Sequence, residues 1–316
     1  VHDKVKEYMT TKTALALQLE ELTIAEALAE AVEQLDEAGI ASAHLDARLL
    51  LARVLGVGRE YLTMHSDAHL SDAEMMAYDV LVERRAAREP MAHILGQREF
   101  WSLNFRVTAD TLDPRPDSET LMETVLHYVP NRNARLMIAD FGVGTGCLLL
   151  SLLSEYPMAH GLGVDISQAA LEVAQKNALS LGLAARTHFH HTSWGDNVHG
   201  RYDILVSNPP YIREGDMEDL EPEVTQYEPR SALVGGEDGL DAYRALMPDV
   251  KRLLAPKGIA VLEFGEGQAE DVIAIANQNG LDYLETVSDL AGIERCVVLV
   301  HAKADVLHLA STSTLS

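Results

Sequence analysis

The sequence predicts an α/β protein, an open parallel sheet with helices on both faces, joined to a small helical bundle. Three observations carry this. From Arg135 onward, apolar β-prone runs alternate with helical segments, the pattern of parallel strands and crossover helices. The first of these runs ends in a glycine-rich turn that feeds a helix, Asp140-Phe141-Gly142-Val143-Gly144-Thr145-Gly146. Before residue 97, apolar residues recur at helical spacing behind two capping boxes. The chain has 316 residues, 47% hydrophobic and 23% charged, which is globular and long enough for one large domain or two.

Taken in order, residues 1–20 read as a short helical lead-in around Ala14-Leu15-Ala16-Leu17. Thr23-Ile24-Ala25-Glu26 caps a helix to about Ala38, which Gly39 stops. A second helix spans Ala43–Leu55 before Gly56, and a short third one Arg59–Met64. Ser71-Asp72-Ala73-Glu74 caps a helix to about Arg88, and Pro90 begins a helical turn through Leu95. Arg84, Arg85 and Arg88 read as a solvated helix end that suits the macrodipole, or alternatively as a surface that touches a partner. The aromatic stretch Phe100–Val107 reads as a hairpin or pair of short strands joining two domains. After Pro114 and Pro116, Asp117 or Ser118 is expected to cap a helix to about Val129.

Seven strands follow: Arg135–Phe141, Ala159–Asp165, Thr187–His191, Tyr202–Ser207, Gly258–Phe264, Asp282–Val287 and Arg295–Ala302. Helices are expected at Cys147–Glu155, Ser167–Leu181, 239–254 and about 268–279. The Ser/Thr-rich tail Asp305–Ser316 is expected to be disordered. His188, His190 and His191 read as an exposed and buried alternation on a strand, with no second group at metal-ligand spacing.

Charge narrows the function. Asp and Glu number 49 against 25 Lys and Arg, a net charge of −24, a poor footprint for gripping a phosphate backbone. The two cysteines, Cys147 and Cys296, offer no disulfide framework and fit a reducing cytoplasm. No apolar run approaches the ~18 residues of a membrane span, and the first residues carry no apolar h-region. A cytoplasmic protein without membrane contact is expected.

Two motifs carry chemistry. Glycines at alternate positions of Gly142–Gly146 let backbone approach a ligand. The third glycine of a dinucleotide fingerprint is missing, because Cys147 stands three residues after Gly144. An acid-led G-x-G-x-G instead suits a ligand with a cationic amino-acid end, such as S-adenosylmethionine, and Asp140 can meet its ammonium directly or through water. Asp165 ends the second strand, where an acid can accept from both ribose hydroxyls. Trp194 can lie against an adenine ring or Asp196 can bind the adenine amine, and a plain surface tryptophan is the other reading.

The second motif, Asn208-Pro209-Pro210-Tyr211, follows a buried strand, where open α/β sheets carry their chemistry. Two prolines supply acceptors without donors, and Asn208 adds a side-chain carbonyl. This suits a planar NH2 group that donates twice while its nitrogen becomes positive, with Tyr211 facing the flat group. An ordinary turn is the alternative, since Asn-Pro is a common turn dipeptide.

Gly142–Gly146, Asp165 and Asn208–Tyr211 together resemble the class I S-adenosylmethionine-dependent methyltransferases of amide or aromatic-amine nitrogens. From about Thr23 to Ala302 the chain resembles the HemK/PrmC family, the glutamine methyltransferases of class-1 peptide chain release factors. Arg98-Glu99-Phe100-Trp101, Pro114–Glu119, Pro222-Glu223-Val224, Glu228–Leu233, Gly235–Asp241 and Tyr243-Arg244 carry that resemblance. Phe141-Gly142-Val143 departs from the family's usual Leu-Gly-Thr, and Asp113 replaces a common apolar residue.

The resemblance implies a seven-stranded, doubly wound, Rossmann-like methyltransferase sheet with its last strand antiparallel, a helical substrate-binding domain and a β-hairpin linker. The expected divisions are a lead-in (1–22), the helical domain (23–96), the linker (97–113), the methyltransferase domain (114–303) and the tail (304–316). Asp140, Gly142, Val143, Gly144, Thr145, Gly146, Asp165, Trp194 and Asn208 are expected to hold S-adenosylmethionine, with S-adenosylhomocysteine as product. Asn208, Pro209, Pro210 and Tyr211 are expected to bind the glutamine and carry the reaction, with no metal. By the same analogy, Arg115 and Glu119 lie in the helix entry beside the active site and shape the cofactor pocket, or else serve as a structural cap.

The implied partner is a class-1 release factor bound by a monomer without direct nucleic-acid contact. A DNA adenine methyltransferase would share the tetrapeptide. However, Glu214, Asp216, Glu218, Asp219, Glu221, Glu223 and Glu228 place seven acids and no base in fifteen residues beside it. A glutamine methyltransferase of a large-subunit ribosomal protein would share the chemistry, and a non-catalytic cofactor-binding protein is a third class.

Overall fold

The computed structural model describes residues 22–301. The expected lead-in and tail lie outside the described residues. The chain divides into two compact units, one up to Leu95 and one from Gly96.

The first unit holds α1 (Ile24–Glu37), α2 (Ala43–Leu55), α3 (Arg59–Met64), α4 (Asp72–Ala86) and α5 (Met91–Leu95). Both capping boxes form: the Thr23 and Ser71 side chains accept from the N–H of Glu26 and Glu74, whose carboxylates accept in return. Leu35, Leu50, Leu51, Leu62 and Tyr78 fill the core, and the Tyr78 hydroxyl donates to the Ala47 carbonyl at 3.0 Å. The arginines at the end of α4 differ from the solvated reading. Arg85 is buried and donates to Asp46 Oδ2 at 2.8 Å, Arg84 pairs with Glu89, and Arg88 donates to the Gly39 carbonyl. Arg85 points into the bundle because the buried Asp46 on α2 needs a counter-charge.

The second unit opens with a hairpin, β1 (Gln97–Phe100) and β2 (Leu103–Arg106). Its two-residue turn holds Trp101 and Ser102 at φ 51° and 58°, which a right-twisted hairpin requires. Glu119 accepts the Trp101 N–H and Glu155 the indole N–H, which anchors this strained turn. Phe100 and Phe105 enter the core of the second unit, so the hairpin belongs to that unit.

Then come α6 (Glu119–Tyr128), β3 (Met137–Phe141), α7 (Cys147–Glu155), β4 (His160–Asp165), α8 (Gln168–Ser180), β5 (Thr187–His191), β6 (Tyr202–Ser207), α9 (Pro222–Tyr227), α10 (Asp241–Leu253), β7 (Leu254–Glu263), α11 (Ala269–Gln278), β8 (Leu281–Ser288) and β9 (Glu294–His301). The seven-stranded sheet runs β5-β4-β3-β6-β7-β9-β8, with β9 antiparallel to both neighbours. This is the doubly wound sheet that the resemblance implies.

Alternation assigns the faces. Ile138, Ile204, Val206, Ile259 and Val261 meet α6, α7 and α8. Ala139, Phe141, Leu205, Ala260 and Leu262 meet α10 and α11. Strand order reverses between β3 and β6, the switch point where open α/β sheets bind ligands.

Four local expectations change. Strand β7 begins at Leu254, earlier than Gly258, and α9 is an additional helix. Ser118 caps nothing: it ends a 3₁₀ turn, Pro116–Ser118, and its hydroxyl donates to Glu263 across the unit. His188, His190 and His191 are all exposed, because β5 is an edge strand, and His191 Nε2 bonds the Ile166 carbonyl.

Candidate active site

The site lies in the second unit at the carboxyl ends of β3, β4 and β6, around a cavity of about 310 Å³. That is at the small end of ligand pockets. Gly142, Gly144 and Gly146 carry φ of 80°, 52° and 82°, left-handed values that side chains resist. The Gly142 and Val143 N–H groups both donate to the Val164 carbonyl of β4. Gly146 then opens α7.

Gly142, Val143, Gly144 and Thr145 line the cavity. Gly146 is buried behind it, with Leu150 and Ala174 close enough to crowd any added Cβ. Asn177 of α8 braces the loop: its amide nitrogen donates to the Thr145 and Arg106 carbonyls at 2.9 and 3.1 Å. Its side-chain oxygen accepts the Arg106 N–H at 2.8 Å.

Asp165, half-buried on the cavity wall, accepts the Gly144 N–H at 3.0 Å and the Ser167 N–H at 2.8 Å. It therefore holds the glycine loop while standing at the ligand's edge. Trp194 lines the cavity at φ 45°, its ring 3.9 Å from where a Gly142 Cβ would stand. Asp249 and Arg252 of α10 pin its loop through the Gly195 N–H and carbonyl. Asp196 is exposed and is not on the cavity wall.

Asp140 also stands off the wall. Alternation turns it with Ile138 toward the α7 face, where it is 1% exposed and neither oxygen makes a well-formed hydrogen bond. Burial pushes its pKa up to about 8, against some relief from the Leu149 N–H, and the Asp165 charge adds to the rise.

Across the switch point, Ser207 donates to the Phe141 carbonyl at 2.5 Å and ties the end of β6 to the end of β3. The tetrapeptide therefore faces the glycine loop, and a Gly142 Cβ would stand 4.0 Å from the Asn208 carbonyl. Asn208 and Pro210 line the cavity, while Pro209 is buried and Tyr211 half-buried behind them. The Gly235–Gly239 loop backs the tetrapeptide closely, and a Cβ on Gly235 would come within 2.7 Å of the Pro210 carbonyl. Gln268 donates to the Tyr211 carbonyl at 3.0 Å.

Sequence reasoning missed several supports. Asn208 Nδ2 donates to Ser118 Oγ at 3.2 Å, and Ser118 donates to Glu263 Oε2 at 2.6 Å. Glu263 ends an apolar strand as Asp165 does, and that shared pattern was the available signal. Glu228, grouped by sequence with the repelling acids, is instead buried and accepts from Arg115 on both oxygens, at 2.8 and 2.7 Å. Burial pushes its pKa up to about 7, against the pull of Arg115. Arg115 lines the cavity, and Glu119 holds the hairpin turn.

The residues present fit S-adenosylmethionine. A left-handed glycine loop brings backbone to the cavity, the Asp165 carboxylate lies on its wall, and the Trp194 ring flanks it.

The PrmC N-terminal domain family matches residues 26–96, and the methyltransferase small domain family matches residues 110–226. A release factor glutamine methyltransferase of Rhodospirillum rubrum is 44% identical over 84% of this chain and 81% of its own. That of Cereibacter sphaeroides is 42% identical over 86% of this chain and 96% of its own. The solved protein-(glutamine-N5) methyltransferase (release factor-specific) of Alicyclobacillus acidocaldarius is 25% identical over 60% of this chain and 94% of its own, with a TM-score of 0.37. The first two relatives align over more than four fifths of this chain at 42–44% identity, and the chain therefore belongs to the release factor glutamine methyltransferase family.

Proposed function

We propose that the chain methylates the side-chain amide nitrogen of the glutamine in the Gly-Gly-Gln loop of class-1 peptide chain release factors. The observation that carries this reading is the Asn208–Tyr211 loop, facing the glycine loop and Asp165 across one cavity in a chain of this family. S-adenosylmethionine, when bound, supplies a methyl group on a sulfonium centre. Gly142–Thr145, Asp165 and Trp194 hold it, Asp165 toward its ribose and Trp194 toward its adenine. Asp140, off the cavity wall, meets its cationic end only through water.

An amide nitrogen is a poor nucleophile because its lone pair is delocalised. Asn208 Oδ1 and the Pro209 carbonyl each accept one N–H of the glutamine and so fix the direction of its nitrogen. Positioning of this kind supplies several kcal/mol, up to ~7–11 in ideal cases. Acceptors fixed beforehand also stabilise the positive charge that grows on the nitrogen, without reorganising. Tyr211 packs on the amide plane. Water takes the proton once the N–H has become acidic.

The enzyme acts as a cytoplasmic monomer without direct nucleic-acid contact. Among the described residues no helix is long and apolar enough to cross a membrane. Glu214, Asp216, Glu218, Asp219 and Glu221 are exposed beyond the tetrapeptide, which disfavours a phosphodiester backbone.

A methyl-transfer assay with radiolabelled S-adenosylmethionine tests the reading. It compares a release factor, the same factor with its Gly-Gly-Gln glutamine changed to alanine, a large-subunit ribosomal protein and duplex DNA. Label confined to the unaltered factor is expected. Label on the ribosomal protein or on DNA would overturn the substrate, and no label anywhere would overturn the activity.

A further inference from the structure

Beneath the tetrapeptide lies a polar chain that the mechanism above does not use. Glu263, at the end of β7, is 2% exposed, and Ser118 is 3% exposed. Ser118 donates to Glu263 Oε2 at 2.6 Å, a short contact of the charge-assisted kind. Asn208 Nδ2 donates to Ser118 Oγ at 3.2 Å. The Tyr211 hydroxyl reaches Glu263 Oε1 at 3.5 Å, and the Tyr243 hydroxyl donates to the Glu263 carbonyl at 2.8 Å.

A hydroxyl has one proton and two acceptor sites. With its proton committed to Glu263, Ser118 can only accept from its other neighbour. The end of Asn208 that meets Ser118 must therefore be the NH2 end, and Oδ1 is left facing the substrate. We propose that Glu263 is the positioning residue of the reaction, acting on the Asn208 amide both directly and through Ser118 to fix which end of it faces the glutamine. The inference rests on the reading of Asn208 as an acceptor for the substrate amide.

The arrangement requires Glu263 to be ionised. A protonated Glu263 would donate to Ser118 Oγ and free the Ser118 proton to bond the oxygen of Asn208, turning the amide round. The groups facing Glu263 are Ser118 and Asp117 before α6, Asn208 and Tyr211 in the active loop, Tyr243 on α10, Cys147 at the start of α7, and Arg295 and Cys296 on β9. Burial pushes the Glu263 pKa up to about 7, while the Ser118 hydrogen bond, the Arg295 charge and a hydrogen bond from the Asn208 side chain pull it down and Asp117 raises it further. Burial also raises the pKa of both tyrosines and both cysteines, so they stay neutral through this range. Turnover should therefore fall as pH drops through about 7.

The test uses the full-length enzyme, its Glu263→Gln, Ser118→Ala and Ser118→Thr variants, and Glu228→Gln as a control. Glu228→Gln is included because Glu228 is also pushed up to about 7. Single-turnover methylation of a release factor is measured from pH 5.5 to 8.5, and S-adenosylhomocysteine binding by calorimetry. Glu263→Gln and Ser118→Ala should each lower kcat by roughly 10–100-fold, the loss of one hydrogen bond to a charged group. Glu263→Gln should lose the acidic limb, and both should bind S-adenosylhomocysteine normally. Ser118→Thr, which keeps the hydroxyl, should recover most of the rate, and Glu228→Gln should keep the limb.

An unchanged kcat in Glu263→Gln, an acidic limb that survives in it, or equal losses in turnover and ligand binding would overturn the assignment. A wild-type enzyme that labels no release factor would instead overturn the proposed function, so the two failures are distinguishable.

Discussion

Replacing Asp140 with asparagine should change how stability depends on pH, by an amount the structure sets. The carboxyl is 1% exposed, and burial holds its pKa at about 8 against an ordinary 3.8. Between those two values the folded protein keeps a proton that the unfolded chain releases. Stability therefore falls as pH rises through this window and levels off above about 8. Each pH unit inside the window costs about 1.4 kcal/mol, so the step from pH 5 to pH 7 costs about 3 kcal/mol.

The amide introduced by Asp140→Asn would not titrate, so the difference between wild type and variant isolates this one group. Acids distant from Asp140 cancel in the comparison, and only those coupled to it, such as Asp165, add to the difference. Urea unfolding of both proteins at pH 5, 6, 7 and 8, followed by far-ultraviolet circular dichroism, measures it. The wild type should lose about 3 kcal/mol relative to Asp140→Asn between pH 5 and pH 7. Parallel curves across that range would show that Asp140 ionises as an ordinary carboxylate and would refute the burial argument.

Three other outcomes are expected. Asn208→Ala should slow single-turnover methylation by about 100-fold or more, as loss of a preorganised partner to developing charge does. Its S-adenosylhomocysteine affinity by calorimetry should stay near wild type, and equal losses in both would count against the role given to Asn208. Asp165→Ala removes the acceptor of the Gly144 and Ser167 N–H groups together with a carboxylate on the cavity wall, and calorimetry should show S-adenosylhomocysteine affinity weakened by about 10–100-fold. Arg85→Ala strands the buried Asp46 and should cost about 3–5 kcal/mol in urea unfolding, against under about 1 kcal/mol for Arg84→Ala in its more exposed pair.

Much of the fold is legible in local pattern. The capping boxes at Thr23 and Ser71, the alternation along β3, β6 and β7, and the turn between β3 and α7 are short-range features. Each is written into a few neighbouring residues by hydrogen-bonding geometry and by which side chains favour water. The same holds for Gly142–Gly146 and Asn208–Tyr211, whose residue types are demanded by left-handed backbone and by a need for acceptors without donors.

Pairings across long sequence separations are not legible in that way. Ser118 looks like a helix cap because its neighbours in the chain resemble a helix start. It serves Asn208 instead, because folding brings Glu263, 145 residues away, to its hydroxyl. Glu228 reads as one more repelling acid until Arg115, 113 residues earlier, closes on it. Arg85 reads as solvated until Asp46 on another helix claims it. Asp140 heads a ligand motif, yet strand alternation turns it into the α7 face and away from the cavity wall. The sequence alone therefore settles which segments become strands, helices and ligand loops, since those depend on neighbours along the chain. Which buried polar groups become partners rests on the packed fold, because a buried charge takes whichever partner folding brings within reach.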